Sequence, residues 1–373
     1  MNKILSILLA TTLLITLLLT GCGGGTGSQA GSGNTQGAPS AGGASASSQS
    51  SGKAEYVIKV SSVLAESNPS CQGLYKFKEY LEEKSGGRIE VQVYPGGILA
   101  TSDEINVELV MTGGCEMAVS PAYCLAQKAN TPEFDVMIYP FLTSVPDKRV
   151  YYELMNNSGV IAEISERFEA QTDVKICGYY DIGWIDIGNK IRPFTDVDSG
   201  RGLKVRSAVA PIWKDTLETF GPSAVPMAYG EVFAALQQGT IDGVVSSTPC
   251  FVSDLFYEEL NYITLTHHVL VMYGIYVNDT FFNSLPEDLQ QMYLDACEYL
   301  IGIQNELHTA AEQTSIDTME ASGIEIYTLS AEERSVWAER AQKSIEANVN
   351  DIGNDFYNRV KGEVARIETE LGL

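Results

Sequence analysis

The chain is short of most of what catalysis, metal binding and nucleic-acid binding require. It has only three histidines, His267, His268 and His308, which offer little general-base capacity. Its seven cysteines include no Cys-x-x-Cys pair, so a structural zinc site is not expected. Gly-x-Ser-x-Gly, Gly-x-x-x-x-Gly-Lys-Ser and His-Glu-x-x-His are all missing from the body. That removes the nucleophile elbow, the phosphate loop and the metalloprotease helix. Carboxylate pairs are left as the one route to an exported hydrolase or isomerase. Basic charge is scarce as well, with 24 Lys and Arg against 48 Asp and Glu and a net charge of −24. Such a chain gains nothing from counterion release on nucleic acid or from attraction to anionic lipid; the acidity mainly serves solubility. After Leu19 no apolar run approaches the roughly 20 residues needed to span a bilayer.

What is present begins at the N-terminus. Met-Asn-Lys is followed by an apolar run from Ile4 to Leu19, interrupted only by Ser6 and threonines, and it ends in Leu19-Thr20-Gly21-Cys22. A short positive end, an apolar middle and a small-residue site read as a cleaved export signal, residues 1–21. The ending Leu-Thr-Gly-Cys resembles a bacterial lipobox, which implies lipid on Cys22 and an extracytoplasmic body anchored to the cell membrane. From Gly23 to Lys53 the chain is nearly all Gly, Ser, Ala, Thr and Gln. It cannot bury enough apolar surface to offset its ordering entropy and reads as a flexible tether, so that 22–53 forms the leash. Beside Cys22 there remain Cys71, Cys115, Cys124, Cys177, Cys250 and Cys297. An even number permits disulfides in an exported protein, but no spacing selects a pairing; the expectation is mostly free, buried thiols.

The remaining body of about 320 residues is long enough for a large core and two lobes. Strands are expected at 57–63, 88–95 and 116–120, with helices at 73–84 and at 102–111, the latter capped by Ser102. Residues 173–188 read as two short strands, 203–206 as a strand, 212–220 and 231–238 as helices with Gly239 closing the second, and 241–246 and 262–277 as strands. Pro286 opens a helical pattern to about Ala321, about 50 Å long at its rise per residue. This alternation implies an α/β fold with covered, largely parallel sheets.

Several segments, in order, resemble one family. They are Gly86-Gly-Arg-Ile-Glu-Val-Gln-Val-Tyr-Pro-Gly-Gly97, Tyr139-Pro-Phe-Leu142, Gly202-Leu-Lys-Val-Arg206, Phe220 to Gly243, Leu265-Thr-His-His268 and Ser284 to Gln290. Together they are similar to the extracytoplasmic solute receptors of tripartite ATP-independent (TRAP) transporters. The resemblance implies a two-lobed, periplasmic-binding-protein-like α/β fold, lobe 1 being 54–183 plus 272–311 and lobe 2 being 184–271 plus 312–373, with the long helix spanning both. It implies no enzyme and no cofactor, but a receptor that closes around a small carboxylate and delivers it to TRAP transporter membrane subunits driven by an ion gradient. A receptor serving a signalling partner, or the binding protein of an ATP-driven importer, would use the same cleft.

The resemblance makes Arg206 the anchor of the ligand carboxylate, in keeping with the planar fork an arginine offers. Two departures follow. Where many such receptors carry a second arginine, this chain has Ile185 followed by Asp186, and where they carry a ligand-facing asparagine it has Ser246. Both changes favour a small or partly apolar carboxylate. Asp186 has two readings, contact with a ligand amino group or an outward strand residue. Trp184 and Tyr180 are candidates for the cleft wall or for core. Ser120 and Tyr123 lie at a strand's carboxyl end, where open α/β sheets bind ligands, and Met227 follows a strand in the same sense. His268 is expected to be structural.

Overall fold

A computed structural model describes residues 53–373; the signal, Cys22 and all but the last residue of the tether lie outside the described residues. Nine strands form one sheet: β1 Tyr56–Ser61, β2 Ile89–Tyr94, β3 Met117–Pro121, β4 Val174–Asn189, β5 Lys204–Ser207, β6 Ser223–Pro226, β7 Gly243–Ser247, β8 Tyr262–Asn278 and β9 Glu325–Thr328. Their order is β2-β1-β3-β8-β4-β7-β5-β6, with β9 on β8. The outer pairs are parallel. Apart from β8–β9, the pairs involving the two long central strands are antiparallel. The sheet is thus mixed, with parallel wings on an antiparallel centre, rather than largely parallel.

The centre also departs from the expected pair of short strands at 173–188. β4 is a single strand of 16 residues, because Gly178 and Gly183, at φ of 122° and 102°, act inside it as kinks and not as ends. Glycine punctuates a sequence in either way, and only the partner strand decides which. The β4–β8 register shifts between Ile176 and Tyr179, between Asp181 and Trp184, and between Ile185 and Ile187. Such bulges re-aim side chains.

Helices cover the sheet. Pro69–Lys84 starts behind Asn68, whose side chain accepts from the Ser70 amide, and Asp103–Met111 starts behind Ser102, which accepts from the Ile105 amide. The helix Glu287–Ala321 runs for 35 residues and packs on Pro69–Lys84, on β4 and on the short helix Thr248–Ser253. Ala331–Ile352 and Asn354–Leu371, which the sequence reading does not reach, complete the layer; the first opens with a full capping box of Ser330 and Glu333. All six described cysteines are free thiols. Burial pushes those of Cys71, Cys115 and Cys250 up to about 12. None of the described helices is long and apolar enough to cross a membrane.

Candidate functional site

Where the ends of β3, β5 and β7 meet the middles of β4 and β8, the body holds a cavity of about 50 Å³. That is room for a few water molecules, so a ligand that fits it is small. Leu64, Pro121, Ile182, Ile185, Ala208, Trp213, Val245 and Val271 supply apolar walls, and Tyr123, Tyr229, Tyr273, Ser246, Ser247 and Cys250 supply polar ones. Two lining residues carry ionisable charge, Arg206 and Asp103.

Arg206 is the last residue but one of β5, in register with Val225 of β6 and Val244 of β7. The chain leaving β6 folds over it: Nε and Nη2 both donate to the Met227 carbonyl, at 3.2 and 3.0 Å. The guanidinium carbon stands 5.5 Å from the centre of the Tyr229 ring, a cation–π contact. Tyr229 is held in turn by its hydroxyl, which donates to Asp254 at 2.8 Å. Arg206 is only 6% exposed, and burial pulls its pKa below the ordinary value while Tyr123, Tyr229 and Asp103 pull it back. None of the ion pairs within 4.0 Å among the described residues includes it. A buried guanidinium without a partner anion is costly, and a carboxylate is the ligand group that relieves it bidentately.

Asp103 opens the helix Asp103–Met111 and is 6% exposed. Its Oδ1 is buried with no hydrogen-bond partner. Burial and then Glu104 push its carboxyl up to about 8, against the opposing pull of Ser120, Arg206 and Tyr273. No signal in the sequence singles it out. An acidic residue in a first helical turn is ordinarily a surface charge that complements the helix dipole.

Of the sequence candidates, Arg206, Ser246 and Tyr123 share the cavity wall. Met227 contributes its backbone carbonyl to Arg206 and its side chain to a second apolar cluster. Ser120 lies just behind Pro121, its hydroxyl donating to the Asp103 carbonyl at 3.3 Å. Three others do not line the cavity. Tyr180 sits one layer back: it pairs with the wall residue Tyr273 across the β4–β8 ladder, and its hydroxyl shares a 2.7 Å hydrogen bond with Ser70. Trp184 packs edge-on to Tyr151 and against His267 in the core. Asp186, for which contact with a ligand amino group was one of two readings, fills the bulge between β4 and β8 instead. Its Oδ1 accepts from the His267 amide at 2.9 Å, standing in for a ladder bond that the register shift removes. The acid that faces the cavity is Asp103, with Tyr229, Tyr273 and Trp213 as further wall residues the sequence reading passed over. His268 is buried, shares a 2.7 Å hydrogen bond with Thr266 and lies edge-on to Trp213 and Phe220. Burial lowers its pKa to about 3, so it is a neutral packing residue.

The arrangement has relatives. A family described as bacterial extracellular solute-binding protein, family 7 (DctP) matches residues 60–351. The chain is 26% identical over 317 residues to the C4-dicarboxylate-binding periplasmic protein DctP of Rhodobacter capsulatus, covering 83% of this chain and 91% of that protein. It is 24% identical over 253 residues to the 2,3-diketo-L-gulonate-binding periplasmic protein YiaO of Escherichia coli, covering 68% and 75%. Among solved structures, the sugar acid binding protein DctPAm of Advenella mimigardefordensis with galactonate superposes with a TM-score of 0.78 at 21% identity, over 83% of this chain and 98% of that one. A TRAP periplasmic solute binding protein of Sulfurospirillum deleyianum with bound succinate gives 0.76 at 22%, over 83% and 99%. The fold is theirs, a mixed α/β architecture consistent with two lobes, and these relatives are binding proteins rather than enzymes.

Proposed function

The chain belongs to the bacterial extracellular solute-binding protein family 7, and on that premise we propose that it captures a small organic acid in the Arg206 cavity and delivers it to the membrane subunits of a TRAP transporter. The observation that carries this reading is the guanidinium of Arg206, enclosed in a cavity wall, steered by the Met227 carbonyl and without a protein carboxylate as counterion. The names of the relatives, which bind dicarboxylates and sugar acids, support the class of ligand. Lobe 1 is 54–183 plus 272–311 and lobe 2 is 184–271 plus 312–373. In support, the division at 183/184 falls on a register shift of the β4–β8 ladder, beside Gly183, where a hinge would need backbone freedom. Lipid on Cys22 holds the protein outside the cell membrane.

A thermal-shift screen of the full chain against small carboxylates, sugar acids and neutral sugars tests the ligand class. A ligand at a hundredfold excess over its Kd stabilises by about 2.7 kcal/mol. The expected result is a carboxylate hit that disappears in Arg206→Ala; hits confined to neutral sugars, or indifferent to Arg206, would sink the reading. Delivery is checked by uptake that collapses with the ion gradient but not with ATP depletion. Anchoring is checked by Cys22→Ala, which is expected to move the protein out of the membrane fraction.

A further inference from the structure

The cavity walls hold one cation and one acid, and no other ionisable charge. Arg206 has no protein counterion, as described above. Asp103 enters the same cavity from another element, 94% buried by its 6% exposure, with Oδ1 unmatched by any donor. The remaining walls are largely apolar, with Ile182, Ile185, Val245 and Val271 prominent among them. We propose that the ligand is a zwitterion, a small α-amino acid with an apolar side chain, its carboxylate on Arg206 and its ammonium on Asp103. This rests on the reading of Arg206 as the carboxylate anchor and narrows it.

Charge balance separates this ligand from a dicarboxylate. A zwitterion gives each buried protein charge an opposite partner and leaves the closed cavity neutral. A dicarboxylate would bring a second negative group to a cavity with one cation, leaving one carboxylate unpaired even while Asp103 keeps its proton. Unpaired buried charge is among the most costly arrangements in a protein interior. The surroundings of Asp103 are consistent with a site that awaits a cation: burial and then Glu104 on its own helix raise its proton affinity, while Ser120 from β3, Arg206 from β5 and Tyr273 from β8 only partly oppose this. Its carboxyl therefore keeps a proton at neutral pH until an ammonium displaces it.

Titration calorimetry on the full chain provides the test, with L-alanine, L-2-aminobutyrate and L-valine set against propionate, lactate and succinate at pH 7, in two buffers of different ionisation enthalpy. An amino acid is expected to bind at least about tenfold tighter than its des-amino analogue, with release of up to about one proton as Asp103 ionises. In Asp103→Asn, an isosteric change that removes no packing, the tenfold preference and the proton release should both vanish while circular dichroism stays unchanged. Arg206→Ala should abolish binding of every carboxylate. Tight succinate or lactate binding with no amino-acid binding overturns the zwitterion and leaves the carboxylate reading standing. A preference for amino acids that survives in Asp103→Asn also overturns it. Failure of every carboxylate to bind removes both readings together.

Discussion

Asp103 and Asp186 are both enclosed carboxylates, both shifted above the ordinary carboxyl range by burial, and they occupy opposite kinds of surroundings. Asp186 is built into the backbone: its Oδ1 accepts the His267 amide in the β4–β8 bulge, and its Oδ2, though unbonded, faces the His267 ring at 3.8 Å. Asp103 lines a cavity that also contains Arg206, and its Oδ1 is buried without a hydrogen-bond partner. The arginines differ as well. Arg334, half-buried, donates to the carbonyls of Thr266 and His267, packs on Phe141, leaves its Nη2 without a partner and lines a separate cavity, whereas Arg206 is steered by one carbonyl in the cavity it shares with Asp103. Burial and a shifted pKa alone therefore do not mark a ligand site. What marks it is a cavity that two opposite charges share.

The sharpest way to break this comparison is to truncate both arginines. Arg206→Ala is expected to weaken carboxylate binding by a hundredfold or more, about 3 kcal/mol, and Arg334→Ala to leave affinity nearly unchanged while lowering stability. Calorimetry and denaturant unfolding on the two variants measure it; similar affinity losses would erase the distinction. Next come the acids. Asp186→Ala strands the buried His267 amide and should cost about 1–3 kcal/mol of stability, with Asp186→Asn, which keeps an acceptor, costing less. Asp103→Asn should cost nothing or stabilise the unliganded protein at pH 8, because it removes a carboxylate that resists ionising. If unfolding ranks Asp103→Asn as the more damaging change, the assignment of roles is reversed.

A third effect is smaller and depends on pH. Asp103 and Asp135 are pushed up to about 8 and about 7, the first by burial and Glu104, the second by burial and Asp351. The folded chain holds these protons where the unfolded chain, with carboxyls near 4, has lost them. Stability from these groups therefore falls as pH rises from about 4 toward 8. The histidines oppose this below their ordinary pKa only: burial lowers His267 to about 4, His268 to about 3 and His308 to about 4. Their neutral folded forms gain stability with rising pH up to about 6.5, the ordinary histidine value, and nothing above it. The expected outcome is a Tm that declines between pH 6.5 and 8, with a shallower decline in Asp103→Asn. A flat or rising Tm in that window contradicts the burial of these acids. The smallest effect belongs to Tyr180→Phe, which loses the Ser70 hydrogen bond behind the wall for about 1 kcal/mol of stability, with little change in affinity by calorimetry.

Many local signals in the chain were legible to within a residue or two, although the first helix starts at Pro69, four residues before the expected Gly73. The alternation at 57–63 and 88–95 became β1 and β2, Ser102 caps its helix, Gly239 ends another in a left-handed turn, and the helix behind Pro286 runs to Ala321. Each depends on neighbours in sequence, so short-range physics suffices. The long strand β4 was misread because a glycine inside a strand and a glycine at its end look alike until β8 lies beside it. Site residues divided the same way. Arg206 stood out through a motif of contiguous residues, but Asp103 did not, since nothing near it distinguishes a buried helix start from an exposed one.

Composition and local pattern by themselves determined an acidic α/β chain, because those properties reside in residue type and spacing, and the resemblance to a family added one arginine worth watching. Which charges face the cavity and which mend the bulge was decided only by tertiary structure. Asp186 and Ser246 are direct partners across the β4–β7 ladder, yet one turns to β8 and the other lines the cavity. A register shift between strands some eighty residues apart set that difference, and hydrogen bonding across such a distance leaves no trace in the order of neighbouring residues.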